Sequence, residues 1–149
     1  MLYLVHHGEA MEAQQDAQQP LTPVGRAAVE RVGVSLEERG VLPVQIWHSG
    51  KLRARQTANI LHAACNPTAT VGMVRGLRPA DSSEIMADRL MGEQRDVVLV
   101  GHMPHIARLL RRLVGKVGEV ELCVFPSHGV VALTTDDEGF TWIEAWRLN

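Results

Sequence analysis

Two histidines and an arginine each follow a segment that is short enough to be a single β-strand. These are His7 after Leu2–Val5, Arg53 after Gln45–Ser49, and His102 after Val97–Val100. In a sheet of parallel strands covered by helices, the ligand site lies at the carboxyl ends of the strands. We therefore predict that the three side chains converge at one site.

The residue types at these positions suit phosphoryl transfer. Negative charge spreads over the phosphoryl oxygens during such a transfer, so the protein mainly positions the group and stabilises its charge. The guanidinium of Arg53 fits two of these oxygens, and His102 can donate to a third. A neutral His7 can attack phosphorus and form a phosphoenzyme that water then hydrolyses. Candidate substrate-binding residues beside them are His6, Gly8, Glu9 and Ser49, and Gly8 leaves space for phosphate to approach the backbone.

Hydrophobic patterning and capping signals predict the elements that position these groups. The predicted strands are Leu2–His6, Gln45–Ser49, Asp96–Val100, Val130–Thr134 and Phe140–Leu148. The predicted helices run from Pro23, capped by Thr22, to Gly40; from Gly50 to Cys65; from Ser82 or Ser83; and from about Pro104. We expect the segments 10–19 and 66–79 to be loops.

Strands that alternate with helices predict an α/β fold with a mainly parallel central sheet. The last two strands are joined by the turn-forming residues 136–139, which predict an antiparallel hairpin at the C-terminal end. The 149 residues match one ordinary domain, so we predict a single domain over residues 1–149.

Composition narrows the classes of partner. The formal net charge of −2 provides no overall attraction to nucleic acid or to an anionic membrane, and we expect neither as a partner. We find no apolar run near the ~20 residues that span a bilayer and no signal-peptide pattern. Cys65 and Cys123 are too few for a disulfide framework. These features predict a cytoplasmic protein.

Four segments of the chain resemble a known family. They are LYLVHHGEA, QQPLTPVG, HSGKLRARQTA and VVLVGHMP, in this order. Together they resemble the histidine phosphatase superfamily, and within it the small bacterial phosphohistidine phosphatases of the SixA type. The resemblance implies a three-layer α/β/α fold without a metal or an organic cofactor. It also implies that His7 is the phosphate-accepting nucleophile, Arg53 the phosphate clamp and His102 the second histidine of the pocket.

The chain departs from the family pattern at three places. His6 stands where the family has arginine, and Gln19 stands where it usually has a basic residue. Larger members supply a carboxylic general acid from the loop after the third strand, where Gly76 occupies the expected acidic position. The nearest candidates for that acid are Asp81 and Glu84, with Glu9 as a third.

His6 therefore has two interpretations, a cationic replacement for the arginine or a lost phosphate ligand. The cationic interpretation predicts a bell-shaped pH profile on the acidic side of neutrality. A metal site at His6 and His7 is not expected, because neighbouring strand residues point to opposite faces. His105 and His128 could line the rim of the site, but a solvated position is the favoured interpretation for each.

The resemblance implies a phosphatase that acts on a phosphohistidine protein or on small phosphorylated compounds. Two alternatives stay open. The first is a catalytically weak or inactive pseudo-phosphatase that binds a phosphorylated partner. The second is a phosphotransferase like phosphoglycerate mutase, which the short chain disfavours because it leaves no room for the insertions that shape a sugar-phosphate pocket.

Overall fold

The computed structural model describes residues 1–115, 124–139 and 141–149. Within them, strands and helices alternate through most of the chain. The strands are β1 (Leu2–His6), β2 (Gln45–His48), β3 (Thr70–Met73), β4 (Val97–Gly101), β5 (Val130–Thr135) and β6 (Trp142–Leu148). The helices are α1 (Pro23–Glu38), α2 (Leu52–Cys65), α3 (Ser83–Arg89) and α4 (His105–Val114).

Most of the predicted elements are confirmed within one or two residues. Thr22 caps α1 by accepting the Gly25 N–H, and Ser82 caps α3. Strand β3 was missed, because its four residues lie at the edge of the sheet without the continuous apolar run that marks a covered strand. Cys123 and Phe140, both used in the sequence analysis, lie outside the described residues.

The six strands form one sheet in the order β3-β2-β4-β1-β5-β6. Strands β1 to β4 run parallel to one another, while β5 pairs antiparallel with both β1 and β6. This is the predicted mainly parallel sheet with an antiparallel C-terminal hairpin.

Each face of the sheet carries its own apolar core, because side chains alternate along a strand. In β1, Leu2 and Leu4 face a core that includes residues of α3 and α4. Tyr3 and Val5 face the other core, which includes residues of α1 and α2. The sheet is thus the middle of three layers, as the resemblance implied.

The parallel strands β1, β2 and β4 end at the same edge of the sheet. The residues that follow them are His7, Ser49 and His102. Helix α2 begins three residues after Ser49 and carries Arg53 in its first turn. Among the described residues, no helix is long and apolar enough to cross a membrane.

Candidate active site

His7 follows the last residue of β1, and its ring is oriented by a backbone carbonyl. Its Nδ1 lies 2.7 Å from the Gly8 carbonyl oxygen. Because a carbonyl can only accept, Nδ1 carries the proton and Nε2 keeps its lone pair. Burial lowers the pKa of His7 to about 4, although the Gly8 hydrogen bond acts in the opposite direction. At neutral pH the ring is therefore uncharged and nucleophilic at Nε2.

Arg53 approaches this nucleophilic nitrogen from α2. Its Nε donates to His7 Nε2 at 3.3 Å, and its Nη1 donates to the Gln19 side-chain oxygen at 3.5 Å. Burial lowers the pKa of Arg53, but a guanidinium stays charged at any working pH. A phosphoryl group that enters the site must take over the Arg53 donor before His7 can attack.

Gly8 has a packing role that differs from the one predicted. We expected it to let phosphate approach the backbone, but its N–H donates to Thr57 Oγ1 at 3.1 Å. A Cβ at Gly8 would lie 2.5 Å from Val29 Cγ2, so glycine is needed for contact with α1. Thr57 in turn donates to the Arg53 carbonyl oxygen at 2.8 Å, which ties the end of β1 to the turn that carries Arg53.

His102 follows β4, and Ser49 holds its ring. The Ser49 hydroxyl lies 2.6 Å from His102 Nε2, and it also accepts the Lys51 N–H at 3.3 Å. We assign the serine proton to the bond with Nε2, which places the His102 proton on Nδ1. That atom is buried and has no hydrogen-bond partner among the described residues. Burial also lowers the pKa of His102 to about 3, so the ring is a neutral donor.

His6 is held by a histidine that the sequence analysis left outside the site. The backbone N–H of His128 donates to His6 Nδ1 at 2.9 Å, so the neutral His6 ring carries its proton on Nε2. The two rings stack at 4.7 Å with an interplanar angle of 14°. His128 Nδ1 also lies 2.6 Å from the His7 carbonyl oxygen. His128 is thus half-buried in the site, and the expectation that it is merely solvated was wrong.

The cationic interpretation of His6 is not supported. Burial, followed by the neighbouring His7, His128 and Arg53, lowers the pKa of His6 to about 3. Protonation at neutral pH would also remove the lone pair that accepts the His128 N–H. His6 is instead a neutral ring whose tautomer presents an N–H donor, and the predicted bell-shaped pH profile loses its basis.

The three rings of His6, His7 and His128 also have the spacing of a metal site. One ring nitrogen of each lies within 4.8 Å of the others. The expectation that His6 and His7 point apart was wrong, because β1 ends at His6 and the alternation stops there. The donor set nevertheless disfavours a cation. The Arg53 guanidinium contacts His7 Nε2, and the His6 lone pair is already used by the His128 N–H. The absence of a metal requirement stays a prediction.

The three candidate acids differ in their surroundings. Glu9 accepts a hydrogen bond from the Thr22 hydroxyl at 2.7 Å, beside the start of α1. Glu84 forms an ion pair with Arg112 at 3.2 Å, between α3 and α4. Asp81 lines a groove that also contains Ser49. His105 is fully buried at the start of α4, so the expectation that it is solvated was wrong.

This arrangement can bind and transfer a phosphoryl group. It combines a neutral nucleophile, one fixed cation, and two neutral N–H donors on His6 and His102. The His6 ring is held by a hydrogen bond on its other nitrogen, so its donor needs little reorganisation when an anion enters, whereas the Nδ1–H of His102 is buried and must first become accessible. One site brings together five residues that were predicted from the sequence to be neighbours: His7, Arg53, His102, His6 and Ser49. Thr57 and His128 were not expected there.

Solved structures with the same fold cover nearly the whole chain. The protein histidine phosphatase SixA complexed with tungstate has a TM-score of 0.83 and 22% sequence identity, and the match covers 99% of this chain and 95% of that one. A protein assigned as SixA of Agrobacterium tumefaciens has a TM-score of 0.81 and 24% identity, covering 99% and 96%. One from Nakamurella multipartitia has a TM-score of 0.74 and 27% identity, covering 99% and 94%.

No curated relative matches the sequence significantly. The family sequence model for branch 1 of the histidine phosphatase superfamily matches residues 2–85, which is more than half of the chain. The matched segment includes His7 and Arg53, and His102 joins them from β4. The chain therefore belongs to the histidine phosphatase superfamily, branch 1.

Proposed function

We propose that this chain is a phosphohistidine phosphatase in which His7 accepts the phosphoryl group. The observation that carries the proposal is the orientation of the His7 ring. Its Nδ1–H is bound to the Gly8 carbonyl, and its Nε2 lies against Arg53 within a pocket of neutral donors. SixA proteins, which share the fold, are described as phosphohistidine phosphatases.

In the first step, His7 Nε2 attacks phosphorus and the phosphorus–nitrogen bond of the substrate breaks. Arg53 neutralises charge on the phosphoryl oxygens, and the N–H groups of His6 and His102 donate to them. The departing substrate imidazole takes a proton from solvent on its other ring nitrogen and leaves as a neutral molecule. A neutral imidazole is a good leaving group, so this step does not need a strong carboxylic acid.

In the second step, water attacks the phosphorylated His7. The modified ring carries phosphorus on Nε2 and keeps its proton on Nδ1, where the Gly8 carbonyl holds it. It is therefore a cation, and it leaves phosphorus as neutral imidazole without any further proton. Inorganic phosphate takes the hydroxyl of water, and the second water proton passes to solvent.

The substrate in this proposal is a protein that carries phosphohistidine, and we place the reaction in the cytoplasm, where the few cysteines stay reduced. The histidine pocket, which is formed by His6, His7, Arg53 and His102, also has the chemistry to bind small phosphorylated compounds. The replacement of the family arginine by His6 favours the pseudo-phosphatase alternative. Because His6 supplies a neutral donor at that position, this replacement is a weaker argument against activity.

Trapping of the phosphoenzyme tests this proposal. The protein is mixed with ³²P-labelled phosphohistidine and quenched in alkali, in which phosphohistidine survives, and an acid wash then removes the label. We expect label on the wild type and none on His7→Asn, whose amide preserves the hydrogen bond to Gly8. His62→Gln is the matched control, since His62 lies on α2 and bonds the Ala69 carbonyl; it should label normally.

Each alternative predicts a different result. A pseudo-phosphatase would bind phosphate without forming the label. A mutase-like transferase would return the label to a sugar phosphate instead of releasing inorganic phosphate. Equal labelling of His7→Asn and wild type would overturn the assignment of the nucleophile.

A further inference from the structure

A groove extends from the candidate active site towards the β3 edge of the sheet. Its volume is about 490 Å³, and its walls include Ser49, Met73, Arg75, Arg78, Asp81 and Ile85. Ser49 belongs to both places, because its hydroxyl lies 2.6 Å from His102 Nε2. A substrate whose phosphoryl group is seated beside His7 and His102 would therefore lie next to the end of the groove that Ser49 forms.

The groove wall contains two arginines, Arg75 and Arg78, and one carboxylate, that of Asp81, so arginine is in excess there. Arg75 and Arg78 are both exposed, and neither forms an ion pair within the part of the chain that the structure describes. The Asp81 carboxylate accepts the backbone N–H of Arg78 at 2.9 Å. Arg112 differs, because Glu84 pairs with it. The two groove arginines are thus available to carboxylates of another molecule.

Apolar side chains flank these cations, and the glycines beneath these side chains leave room for their packing. Met73 is 65% exposed and Ile85 is 51% exposed. Met73 lies over Gly50, where a Cβ would come within 2.5 Å of its Sδ. Gly50 and Gly76 both have positive φ values, of +89° and +91°, which favour glycine. The groove therefore combines a shaped apolar wall with two free cations, a pattern that suits a polypeptide with acidic side chains.

We propose that this groove binds the polypeptide around the phosphorylated histidine and selects segments in which Asp or Glu flank that residue. This inference rests on the proposed function, because the phosphohistidine must be seated at His7. The phosphoimidazole itself occupies only the histidine pocket. The flanking residues then lie along Ser49 and Met73, where their carboxylates meet Arg75 and Arg78.

The test compares three substrates: a phosphohistidine peptide flanked by glutamates, its counterpart with glutamines, and free phosphohistidine. The wild type should have a higher kcat/KM for the glutamate peptide, by up to roughly fivefold for each ion pair formed. Raising the salt concentration should reduce this preference, because exposed charges are screened. The double variant Arg75→Glu/Arg78→Glu should lose the preference and turn over free phosphohistidine at the wild-type rate.

Two further arms make the result specific. A lysine-flanked peptide should become the better substrate of the double variant, since the charges are then exchanged. Arg111→Glu is the matched control, because Arg111 is exposed in the last turn of α4, at the opposite end of that helix from His102. This control should keep the wild-type preference.

The outcomes separate the groove from the chemistry. Equal kcat/KM for the glutamate and glutamine peptides, or an equal preference in the double variant, overturns the groove proposal while the phosphatase stands. If the wild type hydrolyses none of the three substrates, the proposed function fails. In that case the affinity of the His7→Asn variant for the two phosphopeptides, measured by calorimetry, still decides the groove: a preference for glutamate supports it and equal affinities overturn it.

Discussion

The histidine pocket and the neighbouring groove lie at the same edge of the sheet, yet they are built in opposite ways. In the pocket, the rings of His6, His7 and His102 are largely buried, and each is held by a hydrogen bond to another residue. Burial lowers the pKa of all three, so they are neutral. In the groove, Arg75 and Arg78 are exposed, charged and free of ion pairs within the described residues.

The difference reflects what each region must do. Chemistry at phosphorus needs donors and a nucleophile that are already in place, because reorganisation during the reaction raises the barrier. Recognition of a varied polypeptide tolerates mobile charges, which mainly steer the partner and set its preference. Substitutions in the pocket should therefore lower kcat for every substrate, whereas substitutions in the groove should act through KM on peptides alone.

Arg53 should give the largest effect after His7 itself, because among the residues that the structure describes it is the charged group that contacts His7. We expect Arg53→Met to lower kcat for an aryl phosphate by about 10²–10³-fold, the usual cost of losing a donor from a preorganised anion site. Arg55→Met, on the exposed side of the same helix, is the control and should keep the wild-type kcat. Similar losses in both variants would show that α2 is simply destabilised.

Substitutions of His6 test whether an uncharged N–H donor is sufficient at this position. His6→Gln keeps an uncharged N–H donor near the position of Nε2, whereas His6→Leu removes it. We expect kcat/KM to fall by about tenfold in His6→Leu, since a neutral hydrogen bond contributes up to about 1.5 kcal/mol, and to stay near the wild-type value in His6→Gln. If His6→Arg raised the activity while His6→Gln abolished it, the site would need a cation there.

Ser49 should have a smaller effect because it acts through His102. Ser49→Ala frees the His102 ring to adopt the other tautomer, in which Nδ1 no longer donates. We expect a loss of about fivefold in kcat, measured with free phosphohistidine so that the groove does not contribute. The direct readout is NMR of the His102 ring. Its ¹⁵N chemical shifts should report a protonated Nδ1 in wild type and a mixture of tautomers in Ser49→Ala.

The histidine pocket should also make the free energy of unfolding depend on pH. This is the smallest of the expected effects. The pKa of His7 is about 4 and those of His6 and His102 are about 3, against 6.5 in an unfolded chain. The folded state thus disfavours protonation, and the free energy of unfolding should fall as the pH drops from about 6.5 towards 4. Urea denaturation across this range should show a smaller decline in His6→Gln than in wild type. An equal decline in both would mean that His6 titrates normally in the folded protein.

Much of the framework could be predicted from local sequence. The run Val97–Val100 is continuously apolar because β4 is covered on both faces. The pair Thr22-Pro23 supplies the cap and the first residue of α1. Because parallel strands end at one edge, the positions of His7 and His102 after their strands were enough to predict that they meet.

Other features escaped the sequence because their signals are weak or act over long distances. Strand β3 has only four residues at a sheet edge, so no apolar run marks it. Gly8 looked like a phosphate-approach residue, but only the packing of α1 against it shows that Val29 excludes a side chain there.

Apart from β3, the sequence by itself determined the order of strands and helices and which residues stand at the carboxyl edge, because periodicity and capping are properties of neighbouring residues. Only the tertiary structure decided the protonation of those residues. His128 lies 122 positions from His6, and β5 brings it beside β1, where its backbone N–H selects the His6 tautomer. Burial then keeps the rings neutral, and burial depends on the layers that cover the sheet and not on the identity of the histidines.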